Sequence, residues 1–250
     1  MNLKNLQKHW DAFGKENPLW AVLTSTKQWK LDEFFETGIQ EINEVMDYAS
    51  TLPASFSKRR ALDFGCGVGR LTQALACHFD EVYGVDISPS MIEAARQHNR
   101  YGGRCQYHLN VADNLNLFSD DYFDFIYTNI VLQHIAPQYT KNYIAEFVRV
   151  LAPGGVLIFQ LPSTLIDGNS LKKGLRSWVP KPLLLLYRDV KNSWIDRLRR
   201  QPRMEMHGIE KSETLHLVES LNARTIAVKL DRRPTANSSW ECYLYSVTKG

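Results

Sequence analysis

Asp63, Gly65, Gly67, Gly69 and Asp86 are the residues of this 250-residue chain whose types and spacing point most directly to chemistry. Alternate glycines in Asp63-Phe-Gly-Cys-Gly-Val-Gly69 leave backbone bare for a ligand to approach, because no Cβ stands in the way. Asp86 ends the segment Glu81-Val-Tyr-Gly-Val-Asp86, 19 residues beyond Gly67, where a carboxylate can reach a ribose diol. Asp63 disfavours a pyrophosphate two residues before the first glycine and suits an ammonium group there. A dinucleotide fingerprint would read Gly-x-Gly-x-x-Gly, which this run does not. The implied ligand is a nucleoside carrying an amino acid. Cys66 reads as a small residue tolerated between glycines rather than as a nucleophile.

The elements that must hold these residues are legible around them. Arg60 to Phe64 is a short apolar run followed at once by turn residues, as in a buried parallel strand. Leu71, Leu75 and Phe79 follow at helical spacing. Glu81 to Asp86 reads as a second strand, and Ser88-Pro89 supplies an N-cap and a proline at the first helical position. Met91, Ile92 and Ala95 give that helix its apolar face. Further on, Ile144, Phe147, Val148 and Leu151 share a helix face that Pro153-Gly154-Gly155 ends. After the next strand the pattern is expected to break at Pro162. It resumes with a helix around 211–222 and strands near 224–230 and 241–248. Upstream, Trp10, Phe13, Trp20 and Trp29 surround a break at Asn17-Pro18, and Leu31 to Met46 repeats as one long amphipathic helix. Residues 50–58 connect it to the core.

The ordered motifs resemble the class I S-adenosylmethionine-dependent methyltransferases over residues 60–162, with 210–249 similar to that family's closing helix and hairpin. Asp63 to Gly69 resembles the first motif, and Asp86 the acidic residue after the second strand. Asn110-Val-Ala-Asp113 resembles the segment that meets the adenine. Phe123 to Ile135 resembles the fourth strand and its loop, and Leu151 to Phe159 the helix stop and fifth strand. The resemblance implies an α/β fold: a Rossmann-like, doubly wound, mostly parallel seven-stranded sheet with an antiparallel last strand. It divides the chain into a helical cap (1–57), a cofactor-binding core (58–162), a basic helical insertion or lid (163–209) and a closing helix and hairpin (210–250). The implied cofactor is S-adenosyl-L-methionine. Gly65, Gly67 and nearby backbone would approach its methionine portion, and Asp63 its ammonium. Asp86 would take the ribose hydroxyls, Asp113 the adenine amino group, and backbone near Val111 the ring edge. Cys66, Gly69, Ile87, Ala112 and Asn129 complete the expected cofactor site.

Methyl transfer is an in-line displacement on an already activated carbon. Positioning therefore carries most of the catalysis, worth about 7–11 kcal/mol in favourable intramolecular cases. His134, just past the fourth strand, is the candidate catalytic residue as general base, with packing against the cofactor or helix capping as its structural alternatives. His207 is a second candidate. The chain lacks the Asn-Pro-Pro-aromatic box of many enzymes that methylate base amines, and it lacks the clustered acidic ligands of magnesium-dependent catechol-type enzymes, so no metal is expected. The expected acceptor is a small molecule or glycan-type metabolite, methylated on oxygen rather than nitrogen. An RNA- or protein-directed enzyme and a non-catalytic cofactor-binding scaffold are the rivals, with nucleic acid ranked behind small molecules.

Composition sets the outer bounds. A formal charge of +3 and a pI near 8.6 are too mildly basic to demand a nucleic-acid partner. Cys66, Cys77, Cys105 and Cys242 are scattered, without C-x-x-C pairs. Without an apolar leader or membrane-length run, the expected location is the cytoplasm. Cations from Lys172 to Arg203 make the insertion strongly basic, and Pro182 is placed to open an amphipathic helix within it. Three roles stand open for 172–203: a lid or dimer element with a solvated face, a membrane-surface helix, or a cradle for an anionic substrate or RNA phosphates.

Overall fold

A computed structural model of the chain describes residues 1–26, 28–165, 202–231 and 240–250. Seven strands form one sheet in the order β3-β2-β1-β4-β5-β7-β6. They are β1 (Arg60–Phe64), β2 (Glu81–Asp86), β3 (Cys105–Leu109), β4 (Phe123–Thr128), β5 (Leu151–Leu165), β6 (Ala223–Leu230) and β7 (Trp240–Lys249). β1 to β5 pair in parallel, while β7 lies antiparallel between β5 and β6. Strand order reverses beside β1, whose neighbours are β2 and β4. The crevice beyond the carboxyl ends of β1 and β4 is where such sheets bind ligands.

The helices are α1 (Leu3–Glu16), α2 (Pro18–Val22), α3 (Leu31–Ser50), α4 (Arg70–Leu75), α5 (Pro89–Gln97), α6 (Pro137–Val150) and α7 (Lys211–Ser220). Two caps follow the sequence signals: the Asn17 side chain accepts from the Trp20 amide at the α1–α2 break, and Ser88 accepts from Met91 at the start of α5. One sheet face packs on α6 and α7 through residues such as Phe64, Ile144, Phe147 and Val218. The other packs on α3, α4 and α5 through Ile42, Leu75, Val82 and Ile92. α1, α2 and the start of α3 form a third cluster around Phe13, Phe34, Phe35 and Met91. This cluster lays the N-terminal segment across the end of the sheet that carries the glycine turn.

Pro162 does not end the fifth strand, as its residue type had suggested. β5 runs on to Leu165 against β7, with a register shift between Pro162 and Thr164. The Pro162 carbonyl accepts from the Ile209 amide, on the side away from β7. N–H and C=O of one strand residue point the same way, so the missing N–H takes no bond from the β7 ladder. The proposed helix at Pro182 and the basic side chains from Lys172 to Arg200 lie outside the described residues.

Candidate functional site: a cleft at the glycine turn

A cleft of about 730 Å³ opens at the carboxyl ends of β1, β2 and β4, within the range of about 300–1,000 Å³ usual for small-molecule sites. Its floor is the turn from Phe64 to Gly67. Gly65 and Gly67 have φ of 77° and 52°, a region where side chains are strained. A Cβ on Gly65 would also lie 2.3 Å from Val131, and one on Gly67 2.7 Å from Val22. Both valines line the cleft, so turn and walls fit only with glycine at these positions.

Asp86 fixes this turn from the neighbouring strand. One of its carboxylate oxygens accepts from the Gly67 amide at 2.9 Å, and the other from the Ser88 amide at 2.8 Å. Burial raises its pKa, against the pull of these amides. The Ile87 amide adds to this pull, and further donors from a ligand would compensate the buried charge. A vicinal diol presents such donors, so the residues fit a ribose.

Asp63 lies deeper, 1% exposed at the end of β1, and accepts from the Thr72 hydroxyl at 2.6 Å. Burial pushes its pKa up to about 7; the Thr72 bond and the Arg70 charge oppose the rise, and Glu41 and Asp86 add to it. Asp63 thus feels two further carboxylates, Glu41 and Asp86, against the single positive charge of Arg70. That surplus of negative charge suits a cationic ligand. Burial holds Cys66 as a thiol, its pKa raised well above the ordinary range, which removes the thiolate a nucleophile needs.

Glu41 and Arg70 are the functional-site residues that motif reading missed. Arg70 lines the cleft and is 5% exposed. Its guanidinium donates to Thr37 Oγ1 at 3.2 Å and to Glu41 at 2.7 Å. Glu41 also accepts from the Tyr127 hydroxyl at 3.0 Å and the Asn129 amide at 2.7 Å. An interior helix glycine was the available signal. Gly38 of α3 lets the helix approach so closely that a Cβ there would stand 2.6 Å from the Arg70 carbonyl.

At the other end of the cleft, His134 Nδ1 lies 2.7 Å from the Glu205 carbonyl oxygen. A carbonyl only accepts, so Nδ1 carries the proton and the neutral ring keeps Nε2 as acceptor, 3.1 Å from the Gln133 amide nitrogen. Burial lowers the His134 pKa to about 4 despite the Glu205 bond. Gln133 Oε1 is buried without a partner. Leu3, Leu6, Trp10, Met204 and Met206 complete this end of the cleft, with Trp10 edge-on to His134 at 5.2 Å. His207 pairs with Glu205 at 3.2 Å and sends its backbone amide to the Gln133 carbonyl.

The cleft thus gathers Asp63, Gly65, Cys66, Gly67, Asp86, Ile87, Asn129 and His134. Gly69 stands behind it as the left-handed N-cap of α4. Asn110 lines the cleft, while Val111, Ala112 and Asp113 lie outside its lining. The Ala112 amide donates to the Asn110 side chain and the Tyr143 hydroxyl to the Ala112 carbonyl. That turn leaves Val111 52% exposed and Asp113 facing Asn142 on α6.

Sheet order, switch-point cleft and glycine turn define a Rossmann-like protein built to hold a nucleoside-bearing ligand. Residues 62–159 match the family described as a methyltransferase domain. Among curated proteins, the chain is 38% identical over 111 residues to trans-aconitate 2-methyltransferase of Methylobacterium radiotolerans, covering 44% of this chain and 40% of that protein. It is 29% identical over 149 residues to ubiquinone biosynthesis O-methyltransferase of Cereibacter sphaeroides, covering 60% and 56%. The chain thus spans about half or less of the length of these curated relatives. Magnesium protoporphyrin IX methyltransferase from Synechocystis, solved with bound S-adenosylhomocysteine, shares the fold at a TM-score of 0.60 and 16% identity, over 98% of both chains. S-adenosyl-L-methionine is the cofactor of the family.

Proposed function

We propose that the protein methylates a small-molecule or glycan-type acceptor, on oxygen, with S-adenosyl-L-methionine as donor. The observation that carries this reading is Asp86, a carboxylate at the cleft that accepts from the Gly67 and Ser88 amides and so stands where the glycine turn meets the ligand space. The small-molecule acceptors in the names of the trans-aconitate and ubiquinone-pathway relatives support the choice of substrate class.

When bound, the cofactor supplies a methyl group already activated by its sulfonium. The chain's residues hold and enclose. Asp86 and the Gly65–Gly67 backbone fix the nucleoside end, while Asp63 faces the ammonium. Trp10, Leu6, Met204 and Met206 exclude water where the acceptor would lie. His134 is assigned the acceptor's proton, received at Nε2 in place of the Gln133 amide. A second role has its own support: the low His134 pKa and the occupied Nε2 favour a residue that shapes the chamber without taking a proton.

The test is incubation of the protein with methyl-labelled cofactor and a cell extract lacking this protein, followed by separation into small-molecule, lipid, RNA and protein fractions. Label in the small-molecule fraction supports the proposal. Label confined to RNA or protein contradicts it and moves the basic stretch 172–203 to the docking surface.

A further inference from the structure

The cleft is divided by its chemistry. Among the described residues that line it, the charged ones are Asp63, Arg70 and Asp86, all in or beside the glycine turn. Arg70, the cation of the three, is held by Glu41 at 2.7 Å. The end around His134 is apolar. Leu3, Leu6 and Trp10 stand three and four residues apart on one face of α1, and Met204 and Met206, on either side of Glu205, join them. Trp10 and both methionines are half-buried, so part of each surface stays open. The polar groups here are already committed. His134 Nε2 meets the Gln133 amide, His134 Nδ1 donates to the Glu205 carbonyl, and the His207 amide donates to the Gln133 carbonyl.

We propose that the acceptor is a phenol on an uncharged, apolar body, its ring against Trp10, Met204 and Met206 and its hydroxyl at His134. The inference rests on the small-molecule reading above and narrows it. A carboxylate or phosphate seated at this end would meet no cation among the described residues, and a sugar would strand most of its hydroxyls against carbon and sulfur. A flat ring suits the wall, because methionine sulfur and indole both pack well on aromatic faces. The base points the same way. Burial lowers the His134 pKa to about 4, which makes its ring a weak proton acceptor. A phenol ionises at about pH 10, far more readily than an alkyl alcohol, whose acidity is close to that of water at about pH 16. In the transfer, the phenol oxygen takes the methyl group while sulfur keeps the electron pair of the broken bond, and the phenol's proton passes to His134 Nε2.

The product of the labelling reaction tests this. Label from the small-molecule fraction should extract into ethyl acetate, resist alkaline hydrolysis and travel with an aromatic ultraviolet absorbance, as an aryl methyl ether does. Alkali-labile label would be a methyl ester of a carboxylate acceptor, and water-soluble label a methylated glycan; either overturns the inference and leaves the small-molecule reading standing. Label confined to RNA or protein removes that reading, and the inference with it. Binding supplies a second readout. By calorimetric titration into protein saturated with S-adenosylhomocysteine, 2-naphthol should bind and citrate should not. Met206→Lys places an ammonium against the ring and should weaken 2-naphthol about tenfold or more, with S-adenosylhomocysteine affinity little changed. Trp10→Leu, which keeps the wall apolar, should weaken it by a smaller factor and serves where the lysine variant does not fold. Citrate binding without 2-naphthol binding, or 2-naphthol affinity that neither variant alters, overturns the assignment.

Discussion

Asp86 Oδ2 accepts from the Gly67 amide at 2.9 Å, so the residue expected to read the ligand also fixes the loop that receives it. The same carboxylate takes the Ser88 amide through its other oxygen. Asn would keep one acceptor and place an NH2 against the other amide, leaving a buried donor unpaired. Asp86→Asn should therefore cost about 1–3 kcal/mol of stability by denaturant unfolding and weaken S-adenosylhomocysteine binding. Unchanged affinity in a folded variant would detach Asp86 from the ribose.

Gly65→Ala should be worse than an ordinary glycine substitution. The left-handed φ costs about 1 kcal/mol or more, and the new methyl would stand 2.3 Å from Val131. The turn must shift, and S-adenosylhomocysteine should no longer raise the melting temperature. Gly65→Ala with Val131→Ala relieves the clash but not the φ, so partial recovery of that shift is expected. Full binding by the single variant would show that the turn does not touch the ligand.

His134 links folding to pH. Its folded pKa of about 4 lies below the ordinary histidine value near 6.5, so the unfolded chain takes the proton first as pH falls. Its contribution is fully present above about pH 6.5 and is lost progressively down to about pH 4, by about 3 kcal/mol. His134→Gln should flatten the loss of stability between pH 7 and pH 5. If His134 is the base, this variant should lower kcat about a hundredfold or more with S-adenosylhomocysteine affinity little changed. A chamber-lining role would instead move KM and kcat together by small factors.

Asp63, with a pKa near 7 in the ligand-free site, is partly protonated at neutral pH. A bound cation favours the carboxylate and lowers that value, so binding should release a proton. Titrations with S-adenosylhomocysteine at pH 6.5, in buffers of different ionisation enthalpy, should report this release. It should fade by pH 9, where Asp63 is already ionised, and Asp63→Asn should abolish it. A heat independent of buffer would mean that the ligand's cation does not reach Asp63.

Local signals made the core of the fold readable. β1 and β2 begin and end where the apolar runs do, because glycine turns and Ser88-Pro89 punctuate them within a few residues. The same locality made the Asp63 to Asp86 half of the cleft readable. Glu41 was hidden, since on a helical pattern a charge among apolar residues reads as solvent-facing. Only the packing of α3 on α4 turns it towards Arg70, 29 residues on. The Asn110–Asp113 turn was also opaque, because its direction depends on Asn110 bonding to its own neighbours and on Tyr143 from a distant helix. Pro162 suggested a stop because its type was legible and its side of the strand was not.

The most direct test of the cofactor site is calorimetric titration of the purified protein with S-adenosylhomocysteine, beside the Asp86→Ala variant. One-to-one binding that Asp86→Ala abolishes, in a variant that still unfolds cooperatively, is the expected result. No binding to the unaltered protein, or equal binding by both, would contradict the claim that this cleft holds the methyl donor through Asp86.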